Sequence, residues 1–414
     1  MGALEMIEPQ VRSVIDCSPE HRYTLVKARR GASIVAALCL VVLLLVGCAP
    51  SLTTAARATP LPTTTASPSG LLPTFREWRV AYYGEDSRLH VVTLDGKIDL
   101  PGAVLPMLGS TGPRLATVAG ASPDGHSIAY DGRGGLTIIH LTATDPAKVV
   151  LQNPQASGFD LTWSPDSSKL AYSTAGSLVL ADASTVAITP IPGWQNTVPS
   201  GIAGWLDNQR LLVTQFSGSA PRSFVLTAVE VATGAAHTIA TIPLTPNTGA
   251  YATLSPDRKQ ALVSNDPATG NNPDHPSLIE VVNTTTGQVR PLPGIVKAVG
   301  FLLYPVAWKA GTQLAAVMPE PPEDPFDVAS PQNQSWLLDF AHDTATKLTT
   351  GQFCLGWVPG AGTLILSPSY RADANDQQAH PLSAAQLVGN TLRPPVNLTT
   401  TAKIVPFLGF VRTA

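Results

Sequence analysis

Apolar and polar positions along this chain recur with a period of 41 to 54 residues. The clearest copies are Ala121-Ser-Pro-Asp-Gly-His-Ser-Ile-Ala-Tyr130 and Trp163-Ser-Pro-Asp-Ser-Ser-Lys-Leu-Ala-Tyr172, with a third at Leu254-Ser-Pro-Asp-Arg-Lys-Gln-Ala-Leu-Val263. Weaker copies begin at Trp205, Trp308 and Trp357. In each, a short apolar stretch ends in Trp or a small residue and runs into a tight turn. The turn residues are Ser122, Pro123, Asp124 and Gly125 in the first copy. Ser164, Pro165 and Asp166 form the second turn, and Ser255, Pro256 and Asp257 the third. Pro presets φ at the second turn position, Asp bonds its own backbone, and Gly accepts positive φ. A second apolar strand follows, then a short polar loop, a third apolar strand and a fourth that is more polar.

Four short strands per unit, many apolar on both faces, predict the blades of a β-propeller sandwiched between neighbours. The two ends of the repeat array fit together. The first unit opens at what should be its second strand, Arg79–Tyr83, and the chain ends in an orphan strand, Lys403–Val411. The orphan is expected to supply the missing strand and close the ring. The expected fold is therefore all-β, a single propeller over residues 75–414 closed by 403–411. Seven blades are expected, with second strands starting near 79, 128, 170, 211, 261, 314 and 364; six or eight also fit the degenerate later copies.

The Ser-Pro-Asp-Gly turn followed by an Ile-Ala-Tyr strand resembles the PD40/TolB-like family of propeller repeats. The resemblance is specific at residues 121–141 and 161–182, fair at 251–266 and degenerate elsewhere. The member that names the family is an envelope protein engaging protein partners. Its form is soluble, so its particular partners are not carried over.

Ahead of the repeats, Lys27-Ala-Arg-Arg30 precedes the apolar run Ala32–Val46, which ends in Leu45-Val46-Gly47-Cys48. These are the parts of a secretory signal, and the last four residues resemble the bacterial lipobox. That resemblance implies cleavage before Cys48 and its acylation. The run reaches about 24 Å as a helix, short of the roughly 30 Å hydrocarbon core of a bilayer. An uncleaved signal anchor is the other reading, and either leaves the C-terminal bulk outside. Residues 1–48 are thus expected to be signal and lipobox. Glu5, Glu8, Asp16 and Glu20 do not suit a signal; initiation at Leu25 or Val26 would leave residues 1–24 untranslated. Residues 49–74, dominated by Thr, Pro, Ala and Ser, read as an extended tether. The expected location is the cell membrane, lipid-anchored on its extracytoplasmic face.

Composition adjusts this picture in three ways. The 414 residues would ordinarily suggest two or three domains, but the repeat makes one ring of most of them. Net charge is −3, against nucleic-acid binding. Of four cysteines, Cys17, Cys39 and Cys48 lie in the signal region and Cys354 in the apolar run Phe353–Trp357, so Cys354 reads as a buried small hydrophobe.

Chemistry is sparse. No G-x-S-x-G elbow, H-E-x-x-H, P-loop or G-x-G-x-x-G occurs, and the eight histidines are scattered singly. No metal, cofactor or catalytic residue is assigned. The loops joining second to third strand lengthen in the last four units, at Thr214–Ser223, Asn265–Ser277, Pro319–Ser335 and Tyr370–Pro381, and share one face of the disc. Asp266, Asp274, Glu320, Glu323, Asp324, Asp327, Asp373 and Asp376 on these loops form a candidate binding rim. The functional expectation is a non-enzymatic, monomeric binding or scaffolding module for an envelope protein or glycan. The alternative is a propeller-type lyase or glycosidase acting on polysaccharide at the central channel.

Overall fold

A computed structural model describes residues 77–412 apart from 85, 87, 105–117, 133–134, 142–148, 154–158, 175–176, 196–198, 219–221, 245–248, 267–277, 300–301, 320–333, 369–380 and 400–406. The signal region, Cys48 with its lipobox, the tether and residues 403–406 of the expected closing strand lie outside the described residues.

The strands form seven antiparallel sheets, which are the seven blades of a β-propeller. The first blade contains β1 (Trp78–Tyr83), β2 (Arg88–Thr93) and β3 (Asp99–Val104). The second is β4 (Val118–Ala121), β5 (Ser127–Gly132), β6 (Gly135–His140) and β7 (Val149–Asn153). The third is β8 (Phe159–Trp163), β9 (Lys169–Ser173), β10 (Ser177–Asp182) and β11 (Ile188–Gln195). The fourth is β12 (Gly201–Trp205), β13 (Arg210–Ser217), β14 (Ser223–Glu230) and β15 (Ala236–Pro243). The fifth is β16 (Gly249–Leu254), β17 (Gln260–Asp266), β18 (Ile279–Asn283) and β19 (Val289–Pro291).

A short helix, α1 (Pro293–Val299), leads to the sixth blade. That blade is β20 (Leu302–Trp308), β21 (Leu314–Pro319), β22 (Gln334–Asp339) and β23 (Thr344–Thr350). The seventh is β24 (Phe353–Trp357), β25 (Thr363–Ser367) and β26 (Ser383–Val388), with an outer edge split into β27 (Thr391–Leu392) and β28 (Val396–Asn397). Last comes β29 (Phe407–Arg412), which returns to the first blade as its innermost strand.

β29 pairs antiparallel with β1, with Arg79 opposite Val411 and Val80 opposite Phe410. Seven clusters of buried side chains lie at the seven junctions between blades. One of them is the closure itself: Val80, Tyr82 and Val92 of the first blade pack against Ile365, Leu382 and Ala384 of the seventh, with Phe407 and Phe410 beside them. This explains why the middle strands are apolar on both faces. Each face covers a different neighbour, as in β6, where Ile138 faces the third blade and Ile139 the first. The outer strands β11 and β15 are largely exposed.

The repeated turn closes on its own side chains. Ser122 Oγ donates to Asp124 Oδ1 (2.5 Å), and the Ser127 N–H donates back to Ser122 Oγ (2.9 Å). The turns at Ser164 and Ser255 repeat both bonds. The position held by Gly125 has positive φ in all three Ser-Pro-Asp copies, Ser167 and Arg258 both at 62°. Turns also touch across blades. The Asp124 N–H donates to Ser167 Oγ and the Asp166 N–H to Asn208 Oδ1, each at 3.1 Å.

The strand-end tryptophans are a second recurrent tie. Trp163 Nε1 donates to Gly120 O (3.0 Å), Trp205 Nε1 to Thr162 O (3.1 Å) and Trp357 Nε1 to Ala307 O (2.8 Å). Each reaches back to the innermost strand of the preceding blade. Trp308 occupies the same position, but its Nε1 finds no hydrogen-bond partner among the described residues; its ring instead packs on Phe340 at 4.8 Å.

Two features differ from expectation. Helix α1 was not foreseen. It starts with Pro, which loses nothing at a helix N-terminus, buries Ile295, and is capped from the sixth blade by Asp343, which accepts the N–H groups of Gly294 and Ile295 at 2.8 and 3.0 Å. The fourth blade does not carry the long loop expected over Thr214–Ser223. Pairing continues to Ser217 opposite Ser223, leaving 218–222 between the strands. Phe216 packs on Phe224 (5.4 Å) and Arg222 lies over the Phe216 ring (4.0 Å), so the loop's apolar residues extend the sheet.

Candidate functional site

Strand direction assigns the loops to faces. Every innermost strand except β29 runs into its repeated turn, so those turns share one face. The connections from second to third strand share the opposite face, together with the N-terminal ends of the innermost strands. On that opposite face the strands leave gaps at 267–278, 320–333 and 368–382. Of the candidate rim, Asp274, Glu320, Glu323, Asp324, Asp327, Asp373 and Asp376 lie outside the described residues. Asp266 ends β17, opposite Gly249 at the mouth of the channel.

The seven innermost strands β29, β4, β8, β12, β16, β20 and β24 wall the channel. Their sequences are mostly small and apolar, as in Val-Ala-Gly-Ala for β4 and Gly-Ile-Ala-Gly-Trp for β12. They contain one carboxylate, Asp160, and no histidine. Pairing shifts register in all of them except β16. Bulges of this kind re-aim side chains.

Asp160 sits in the β8 bulge with φ 56°, a left-handed conformation that ordinary residues seldom adopt. Burial raises its carboxyl above the ordinary range, opposed by the N–H of Ile202 that donates to it from the next blade. Its side chain nevertheless reaches solvent, as a residue on a concave wall does. Tyr251, on the innermost strand of the fifth blade, is 49% exposed. Asp160 escapes a motif search because its bulge position depends on pairing with β9; a lone acid in an apolar strand end was the only signal.

Two other groups stand apart from the channel. Cys354 is buried, and burial pushes its thiol up to about 12, with Ser335 acting weakly the other way. It is inert as a nucleophile. Glu280, opposite Val263, shares the face of the fifth blade that packs on the fourth. Its Oε2 is buried without a hydrogen-bond partner among the described residues, and burial alone raises its carboxyl above the usual range.

The raised carboxyl of Glu280 fixes the sign of a pH effect. The charged form is disfavoured in the fold, so its cost is absent in acid and grows as pH rises past the ordinary carboxylate range. Glu280→Gln, which removes the charge and keeps the shape, should therefore raise stability at pH 7. The gain should shrink toward zero near pH 4, as read from urea midpoints at the two pH values.

No protein-family profile matches the chain, and no curated protein matches it. Solved structures similar to it include a putative TolB from Agrobacterium tumefaciens, at 16% identity and TM-score 0.42, covering 66% of this chain and 88% of that one. TolB from Acinetobacter baumannii matches at 14% identity and TM-score 0.42, over 81% of this chain and 83% of that one. An oligogalacturonate lyase in complex with manganese matches at 12% identity and TM-score 0.48, over 76% and 83%. What those proteins bind or do is their own; the propeller assignment here rests on the seven sheets. Among the described residues, no group of three or more His, Cys, Asp or Glu is arranged to hold a metal ion.

Proposed function

We propose that this chain is a lipid-anchored, extracytoplasmic β-propeller that binds a protein or glycan of the cell envelope and performs no chemistry on it. The observation that carries this reading is the channel wall: seven innermost strands with a single carboxylate and no histidine. A lyase or glycosidase needs at least two groups converging on the sugar, an acid with a base or nucleophile. Asp160 has no second carboxylate and no histidine as a companion on those strands. Small and apolar residues suit a passive lining, and the face with the strand gaps suits recognition. Cys48 acylation would anchor the propeller to the membrane through the 49–74 tether.

The test uses intact cells producing the full chain. Glu320, Glu323, Asp324 and Asp327 are changed together to Gln or Asn, and crosslinked products are compared with wild type. Loss of one defined adduct supports the rim. In parallel, purified protein is incubated with envelope polysaccharide and new reducing or unsaturated ends are measured. Turnover that disappears in Asp160→Asn would overturn the non-enzymatic reading. Unchanged adducts would overturn the rim. For the anchor, Cys48→Ala should move the protein from the membrane fraction to the soluble one; the same distribution as wild type would refute acylation.

A further inference from the structure

One junction of the ring is built differently from the others. Innermost strands lie against each other from β29 through β4, β8 and β12 to β16, and again where β20 meets β24. β16 and β20 stand further apart, as do β24 and β29. Between β24 and β29 aromatic rings take up the space: a Cβ on Gly356 would fall 3.2 Å from the Phe407 ring and 3.1 Å from that of Phe410. Between the fifth and sixth blades the outer side is held by a helix instead of a long fourth strand. β19 has only three residues, and α1 bridges β18 to β23. The outer halves of these two blades are thus tied, while the inner halves are spread.

Two side chains register the spread. Trp308 is nine-tenths buried, yet its Nε1 has no acceptor among the described residues. Its counterparts Trp163, Trp205 and Trp357 donate to the carbonyl one residue before the end of the preceding innermost strand. In the fifth blade that carbonyl belongs to Thr253. The second side chain is Tyr251. Ala250 and Ala252 pack on the fourth blade, so Tyr251 between them turns toward the sixth, where it is 49% exposed. Its cross-strand neighbour is Ser264, on the same face as Leu262, which packs with Trp308.

We propose that the inner half of the junction between the fifth and sixth blades is a cleft for a neutral sugar ring, entered from the channel mouth beside Gly249. This deepens the glycan-binding reading and rests on it. The inner strands of the two blades, β16, β17, β20 and β21, contain no Lys or Arg, and their one charge is Asp266 at the mouth. An anionic ligand would go unpaired there. A sugar ring offers an apolar face to the Tyr251 ring and hydroxyls at its edge. A hydroxyl both accepts and donates. One hydroxyl accepting from Trp308 Nε1 and donating to Thr253 O restores, through the ligand, the tie that the other junctions make directly. Ser264 supplies a further hydroxyl on the same face.

The test titrates maltose, cellobiose and N,N′-diacetylchitobiose into the full chain labelled with nitrogen-15 tryptophan. At least one should bind, and binding should move the Trp308 indole resonance more than those of Trp163, Trp205 and Trp357. Tyr251→Ala and Trp308→Phe should each weaken that binding about tenfold by calorimetry. Binding that leaves the Trp308 resonance in place, or that both variants leave unchanged, overturns the cleft while the chain remains a glycan binder. If none of the three binds, the cleft is overturned and protein capture at the acidic rim is untouched. If none binds and Tyr251→Ala removes a crosslinked protein adduct, the occupant is a polypeptide and the sugar proposal falls. Should a variant fail to fold, the wild-type indole resonances alone decide.

Discussion

Deletion of residues 403–414 should abolish cooperative unfolding. It removes β29 entirely, stripping β1 of its partner from Trp78 to Tyr82 and leaving an open sheet edge. Leu408 and Val411, each 1% exposed, leave the junction of the first two blades. Phe407 and Phe410 leave the junction with the seventh. At roughly 1.5–3 kcal/mol for each fully buried apolar side chain, with partial contributions from the two Phe, the loss is about 5–10 kcal/mol. That is comparable to the whole stability of an ordinary domain. Calorimetry should show a broad, low-enthalpy transition in place of a sharp one, and a retained sharp transition at the wild-type temperature would refute closure by β29.

The second large effect concerns the tryptophan ties. Trp205→Ala should cost about 3–5 kcal/mol, the usual range for emptying a buried aromatic site. The sharper measurement is Trp→Phe, which keeps a ring and removes the N–H. At Trp163, Trp205 and Trp357 it deprives a carbonyl of the preceding blade of its donor, adding about 1–3 kcal/mol to the cost of lost volume. At Trp308 there is no such bond to lose among the described residues, and removing a buried N–H that none of them accepts offsets some of the lost volume. Chemical denaturation of the four variants should place Trp308→Phe as the mildest. Equal costs at all four positions would mean that ring volume, not the hydrogen bond, holds the blades together.

The ring was legible because its punctuation is local. Second strands expected near 79, 128, 170, 211, 261, 314 and 364 begin at 78, 127, 169, 210, 260, 314 and 363. A Ser-Pro-Asp turn encodes its own hydrogen bonds within six residues, so neither neighbours nor tertiary context are needed to read it. Helix α1 was not legible, since its cap comes from Asp343 in the next blade. Nor was the extension of β13 and β14, which depends on Phe216 meeting Phe224 across the strands.

Site chemistry was hardest to read. Tyr251 and Trp308 lie far apart along the chain. They face one junction only because β16 and β20 belong to neighbouring blades. Trp308 reads as one more blade-packing tryptophan, and nothing in its repeat marks the N–H that finds no acceptor among the described residues. Asp160 is similar: its left-handed backbone is a product of β8–β9 pairing.

The position of β29 also governs the order of birth. The first blade emerges early and waits, with one edge of β1 unpaired, until β29 is made. At about 5–20 residues per second, that interval lasts tens of seconds. Its ring can become whole only once β29 has emerged, so the exposed edge of β1 must survive the synthesis of the six blades between them.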